Sequence, residues 1–349
     1  MKFFRGVIDY GILINADAVT MKEMLRLNGE AVEIVLKWKY LGTYVDHDGR
    51  SSEVEARIKS AQGVANEIVQ ICKSPELSYM RLKYVNLLME ACLSSKVKFG
   101  CEVWDKLKGD EEKDIDNLKV KVIKRVMELP YSTPSAVVKH EFGLVDLSLE
   151  VMMEKALLAV KTLRSSDERK AKQLLQIMIV KKVPGFCTDV LDICKNVLGV
   201  ELDRLVTYDG DVRKMLKEKI IAVQEKRLRK QMMTQSKSDL LLLTSFGFNG
   251  NRQGYLDLPF HQARIIFMVR CRMLLTKCNF PGRWVGVYCN LCGCLDTDEH
   301  LFGCPGFNDI LCDVSYELFF AKNQDLEELA YAAEKMVLVN ERLKVIQEL

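Results

Sequence analysis

A chain of 349 residues with 48% apolar and 28% charged residues can bury a sizeable core, which excludes an intrinsically disordered polymer. Its 51 Lys and Arg nearly balance 48 Asp and Glu, and a net charge of +3 excludes a uniformly basic coat for nucleic acid; any polyanion-binding surface has to be local. No run of about 18 apolar residues offers a membrane span. The stretch from Met1 to Ala18 begins like a secretory leader, but Asp9 interrupts it and no apolar h-region follows. The expected setting is therefore intracellular, nuclear or cytoplasmic, and not secreted. There the twelve cysteines stay free or metal-bound rather than oxidised.

Residues 1–49 read as β structure. Met24 to Leu27 and Ala31 to Val35 flank Asn28-Gly29, a strong hairpin signal, and Lys39 to Val45 forms a third strand closed by the turn Asp46-His47-Asp48-Gly49. From Ser51 the period becomes helical, with Val54, Ile58, Ala61, Ala65 and Ile68 on one face. Ser74-Pro75-Glu76 predicts the start of a second helix, apolar at Leu77, Met80, Tyr84, Leu87, Leu88 and Cys92. A third follows Gly109-Asp110 with Ile115, Leu118, Val122, Val126 and Leu129 inward, and Pro130 ends it. Thr133-Pro134 opens a short helix that Gly143 closes.

Residues 148–182 and 211–233 predict two longer helices. The second is strongly basic: eight Lys or Arg and two acids lie from Arg213 to Lys230. The Gly- and Asn-rich stretch from Phe246 to Asn251 is the best linker candidate. A helix from about Pro259 to Cys278 leads into a cysteine cluster, and a polar helical tail follows. The expected fold class is mainly α. It has a short N-terminal β-meander over 1–49, helical regions over 50–145 and 146–282, a small zinc knuckle over 283–312 and a tail over 313–349.

The cluster carries the chemistry. Cys289, Cys292, His300 and Cys304 stand in the pattern C-x2-C-x7-H-x3-C. Zn²⁺ takes four thiolate or imidazole ligands in a tetrahedron; a C-x2-C turn supplies two from one tight loop, and a His and a Cys one helical turn apart supply the others. Chance placement of all four at ligand spacing is on the order of 1 in 200 at this cysteine content, so one structural Zn²⁺ is expected. Cys294 and Cys312 are alternative ligands, with the fourth position the least determined. Gly293 is expected to help turn amides toward sulfur. Glu299 beside His300 looks like a base next to a ligand, but a solvated helix-face carboxylate is the simpler reading.

Two groups of cations are candidates for contacts with phosphates: Lys226, Arg227, Arg229 and Lys230 on the basic helix, and Arg264, Arg270, Arg272 and Arg283 before the cysteines. Trp284 and Tyr288 add aromatic faces of the kind on which single-stranded bases stack. The alternative for the basic helix is a solvated face covering an apolar one. Phosphate-loop, nucleophile-elbow and H-E-x-x-H motifs are absent from the sequence. Asp46-His47-Asp48 has metal-ligand chemistry, but Asp in a Gly-terminated turn is explained by backbone preference alone.

Taken in order, Lys39-Tyr40-Leu41-Gly42, an Asp-Gly turn, Glu55-x-Arg57-Ile58, Phe99-Gly100-Cys101-Glu102-Val103-Trp104, Thr133-Pro134 with Glu141-x-Gly143, and the C-x2-C…H…C unit resemble the region after the palm in reverse transcriptases of non-LTR retrotransposons. The resemblance implies the end of a primer-grip hairpin, a helical thumb over 50–145, a linker domain and a terminal knuckle, spanning about residues 24–310. The aromatic-Ala-Asp-Asp catalytic motif, which should precede Met24, is missing, and three residues rather than the common four separate His300 from Cys304. The implied role is non-catalytic binding of RNA, single-stranded DNA or a primer–template duplex, with a separate polymerase palm as a possible partner. The alternative is a zinc-stabilised protein-interaction module or a retroelement remnant without function. Neither reading calls for a membrane.

Overall fold

The computed structural model describes residues 51–233 except Asp105, Phe248, residues 253–320 except 281 and 285, and residues 325–348. Before residue 51 it describes only the backbone of a few short strands. There Arg26–Leu27 pairs antiparallel with Glu30–Ala31, and Lys37–Tyr40 pairs antiparallel with Thr43–Asp46. The strand Thr43–Asp46 lies against the helix that begins at Ser51, and how the pairs join into a meander lies outside the described residues. The same holds for His47 and Asp48 and for most of the linker candidate at 246–251.

The remainder is mainly helical. Helix α1 (Ser51–Cys72) buries Val54, Ala61, Ala65, Ile68 and Cys72, the face its periodicity predicts. It packs on α4 (Gly109–Val126), which turns Ile115, Leu118, Val122 and Val126 inward. The Glu111 carboxylate accepts the Lys108 N–H at 2.8 Å and so satisfies one of the open donors at the start of α4.

Between them the structure departs from the expected second helix. Ser74-Pro75 opens a turn, and α2 (Arg81–Leu88) begins later, passing through a π-helical turn at Met89–Ser94 into α3 (Ser95–Lys98). The buried face is Leu82, Val85, Met89, Leu93 and Val97, while Tyr84, Leu87 and Cys92 face solvent. The apolar residues of this segment wrap around the helix, so periodicity alone points to the wrong stripe, and packing against α1 selects the other.

Helix α5 (Ser135–Glu141) follows Thr133-Pro134 and stops at Gly143, whose φ of 62° needs no Cβ and lets the Leu144 N–H reach the Lys139 carbonyl at 2.8 Å. The expected helix over 148–182 is two helices. The first is α6 (Leu147–Leu163), and the second is α7 (Lys170–Val180), separated from it by the polar Ser165-Ser166-Asp167 break. Two shorter helices, α8 (Phe186–Asp192) and α9 (Leu202–Thr207), precede the basic helix α10 (Val212–Met233). Helix α11 (Phe260–Arg270) is shorter than expected and ends before Arg272, which takes a left-handed φ of 51°. After α12 (Asp298–Gly303) and α13 (Asn308–Leu311), the tail forms α14 (Leu326–Glu348).

Two large hydrophobic cores and a small third one, of Ala136 with Leu228, Met232 and Phe248, organise these helices, and the first spans the positions 145/146, 282/283 and 312/313 read from sequence as boundaries. One core joins α1 through the start of α6 to Tyr255, α11, Leu301, Phe307 and the inner face of α14. The second is built by the rest of α6 with α7, α8, α9 and the first half of α10. Helix α14 is therefore not a polar appendage: Leu329, Ala332, Ala333, Met336, Val339 and Leu343 are core residues.

A buried ionic knot fastens the first core. Glu141, at the end of α5, receives Arg270 Nε at 2.9 Å and the Tyr255 hydroxyl at 2.7 Å, and Arg270 also donates to the Phe319 carbonyl at 2.9 Å. Burial pushes the Glu141 carboxyl up, but Arg270 and His140 beside it outweigh that and hold it at about 2.

Candidate metal centre and cationic surfaces

The segment from Val287 to Asp296 folds back on itself. Tyr288 and Leu295 form an antiparallel bridge, the Asp296 N–H donates to the Val287 carbonyl at 2.9 Å, and the Cys289 N–H donates to the Cys294 carbonyl at 2.7 Å. Gly293 closes the turn at φ 76°, and its N–H bonds the Cys289 carbonyl at 3.0 Å. Amides do turn toward sulfur here: the Leu291 N–H lies 3.4 Å from Cys289 Sγ, and the Cys294 and Gly306 N–H groups bond the Cys292 and Cys304 sulfurs.

The other two donors come from α12 and the residue that follows it, Cys304. Thr297 caps this helix by accepting the His300 N–H at 3.1 Å, which sets the imidazole one turn before Cys304. Cys292 Sγ lies 3.1 Å from His300 Nε2 and 3.8 Å from Cys304 Sγ, and Cys289 Sγ lies 3.9 Å from Cys304 Sγ. The donor atoms of Cys289, Cys292, His300 and Cys304 all lie within 4.8 Å of one another, so this Cys3His group can hold a metal ion. Three thiols and an imidazole are a donor set suited to zinc, and four protein donors leave no open position on a tetrahedral ion. Burial pushes the Cys304 thiol up to about 12, so a cation entering there has to displace its proton.

The residues around the quartet fix it. A Cβ on Gly306 would stand 2.9 Å from Leu291 Cβ, so only glycine lets the chain after Cys304 lie against the C-x2-C turn. Asp298 accepts Thr276 Oγ1 at 3.0 Å and Asn279 Nδ2 at 2.6 Å; Asp296 accepts the Lys277 N–H at 2.8 Å; Lys277 Nζ reaches Asn290 Oδ1 at 2.7 Å. The spacing of the ligands gave no hint of these supports. Thr297 three residues before His300 is the one capping signal that points to them. Among the alternative ligands, Cys294 and Cys312 are exposed and stand outside the quartet. Glu299 pairs with Arg272 at 3.0 Å on the surface, in keeping with the solvated reading.

The candidate nucleic-acid contacts divide. On α10, Lys226, Arg229 and Lys230 are exposed, Arg229 paired with Glu225 at 2.9 Å, while the half-buried Arg227 faces Glu112 at 3.6 Å and Asp146 at 3.7 Å. The helix buries Val212, Leu216, Ile220, Gln224, Leu228 and Met232 at four-residue intervals, so its cations ride the opposite side. In the second group only Arg283 is well exposed, with its guanidinium 4.9 Å from the Trp284 ring centre. Arg264 donates to the Met127 carbonyl at 3.0 Å and finishes the end of α4, and Arg272 is held by Glu299. Arg270 is fully committed to the Glu141 knot, because a buried guanidinium needs a carboxylate partner, and it leaves the set of residues that can meet a phosphate. Val287, Tyr288, Leu291 and Leu295, along the same turn, are each exposed.

Comparison of the chain with protein-family models, with curated proteins and with solved structures returns no match.

Proposed function

We propose that the protein is a non-catalytic, zinc-stabilised binder of RNA or single-stranded DNA, resembling the post-palm part of a non-LTR retrotransposon reverse transcriptase. The observation that carries the zinc half of this reading is the Cys289, Cys292, His300 and Cys304 quartet. Cys289, Cys292, His300 and Cys304 would hold Zn²⁺ as three thiolates and one neutral imidazole, a structural role in which ligation would tie the hairpin at 287–296 to α12. The binding half rests on Lys226, Arg229 and Lys230 along α10, and on Arg283 stacked beside Trp284 with Tyr288 exposed nearby. Cations that neutralise phosphates release counterions, and aromatic faces accept bases without regard to sequence. Two-metal phosphoryl transfer needs paired carboxylates of a kind the sequence does not supply, so the purified chain should extend no primer.

The second reading, a zinc-stabilised protein-interaction module, draws on the exposed Val287, Tyr288, Leu291 and Leu295. One experiment separates the two: titration of the zinc-loaded chain into labelled single-stranded RNA at several salt concentrations. Binding should weaken by roughly 10-fold or more between about 50 and about 200 mM salt, and the triple change Lys226→Ala, Arg229→Ala and Lys230→Ala should flatten that dependence. No binding at about 50 mM salt favours the interaction module.

A further inference from the structure

Helix α7 packs on the second core through the buried Leu175 and the half-buried Met178 and Ile179. Its other side carries Leu174, Ile177 and Val180, which are 56%, 52% and 81% exposed. At about 100° per residue, Lys170, Leu174, Ile177 and Lys181 fall within roughly 60° of arc, with Val180 beside them. A lysine thus stands at each end of an apolar ridge, the two roughly 16 Å apart along the helix. No large apolar side chain of α6 or α8, the helices packed on α7, is exposed. The three residues therefore project from a single helix and have no apolar wall beside them.

Charge around the ridge is one-sided. From Arg169 to Thr188 the chain holds no Asp or Glu. Lys172 pairs with Asp167, but Arg169, Lys170, Lys181 and Lys182 pair with no acid among the described residues. Lys181 and Lys182 suit the negative C-terminal end of the helix. Arg169 and Lys170 stand at its positive N-terminal end, where no acid occupies the first turn. Helix energetics oppose that placement, and burial rewards none of the three exposed apolar groups, so the pattern is unexplained by folding alone.

We propose that this ridge is a peripheral docking surface for a lipid bilayer with anionic headgroups. With α7 lying in the plane of the interface, Leu174, Ile177 and Val180 enter the boundary of the acyl chains. Arg169, Lys170, Lys181 and Lys182 then meet the headgroup anions from the two ends. A helical peptide needs a groove with apolar walls, which a ridge on one helix does not offer. A nucleic acid gains nothing from three aliphatic side chains, which have no ring on which a base can stack. Three apolar groups and four cations make the attachment weak, reversible and sensitive to salt.

Flotation of the full chain with vesicles of phosphatidylcholine containing roughly 30% phosphatidylserine tests this, with pure phosphatidylcholine as the neutral arm. The chain should float with the anionic vesicles at about 50 mM salt, bind about 10-fold more weakly at about 300 mM, and leave the neutral vesicles bare. The paired change Leu174→Gln and Ile177→Gln should weaken binding by about 10-fold or more at low salt, and so should Lys170→Gln with Lys181→Gln. Both apolar residues face solvent, so their substitution leaves the second core in place, and unchanged helicity and unfolding midpoint show that the loss is one of attachment. Ile177→Trp reads the contact directly: its added emission, taken against the parent, should shift to shorter wavelength with anionic vesicles. Absence of flotation with the anionic vesicles overturns the proposal. So does flotation that Leu174→Gln with Ile177→Gln leaves unchanged, because other cations then hold the vesicle. An unshifted emission from vesicle-bound Ile177→Trp overturns it as well, and so does a chain that ignores vesicles but loses RNA binding with the same paired change, since the ridge is then a nucleic-acid contact.

Discussion

At the scale of single residues, buried charge decides more than surface charge. Arg270 and Glu141 are almost wholly out of water, and each is tolerable only because the other is there. Replacing Arg270 with Met leaves the carboxylate among Tyr255, His140 and Phe319 without a cation. The expected loss is about 3–5 kcal/mol, measured as a lower urea midpoint, and acid should narrow the gap between variant and parent. The sign follows from Glu141: its folded value of about 2 lies below its ordinary one, so its contribution is present above about pH 4.5 and is lost as pH falls toward 2. Asp116 behaves oppositely. Burial, and then the Asp146 carboxylate, push it up to about 7, although it accepts the Ser148 N–H at 2.8 Å and the Ser148 hydroxyl at 2.9 Å. A raised acid favours the folded state while protonated, so its stabilising effect is full below about pH 4 and disappears through pH 7. Asp116→Asn should therefore stabilise by about 1–3 kcal/mol near pH 8 and by almost nothing near pH 4; equal effects at both values would contradict the assignment.

At the scale of elements, the metal-site hairpin shows how ligation and packing share the work. Leu291 and Leu295 remain exposed, so the turn that carries Cys289 and Cys292 gains little from burial. Metal ligation, worth on the order of 10 kcal/mol in small units, is the term that can hold it. The other half of the site is anchored differently, because Leu301 and Phe307 are buried in the first core together with α14. Purified protein should contain one zinc per chain, and chelation should remove hydrogen-exchange protection from residues 284–310 and weaken it in α14. Helices α6 to α10 should keep theirs. Protection at 287–296 that survives complete zinc removal would show that the hairpin folds without the ion.

At the scale of the molecule, α6 is the member common to both cores: Leu147 and Val151 belong to the first, and Leu149, Met153, Ala156 and Val160 to the second. The metal centre touches only the first. Leu205→Ala, in the second core, should cost about 2–5 kcal/mol and leave zinc affinity unchanged. Phe307→Ala should cost a similar amount and also weaken zinc binding, since Phe307 packs beneath the segment that carries Cys304. Competition with a zinc-chelating dye reads both effects, and a loss of affinity in the Leu205 variant would mean that the cores are coupled more tightly than α6 implies.

By itself the sequence determined the features that depend on near neighbours. The helical character, the inward faces of α1 and α4, the stop at Gly143 and the metal quartet are written in steps of three to eight residues between successive members, close enough along the chain for local geometry to decide. Tertiary structure decided what depends on distant partners. Arg270 reads as a surface cation until Glu141, 129 residues away, is seen to bury it. The face of α2 is chosen by α1, and the role of the tail by the core that α14 completes. Burial energy follows from which surfaces meet, and a spacing rule carries no information about surfaces joined only by the fold.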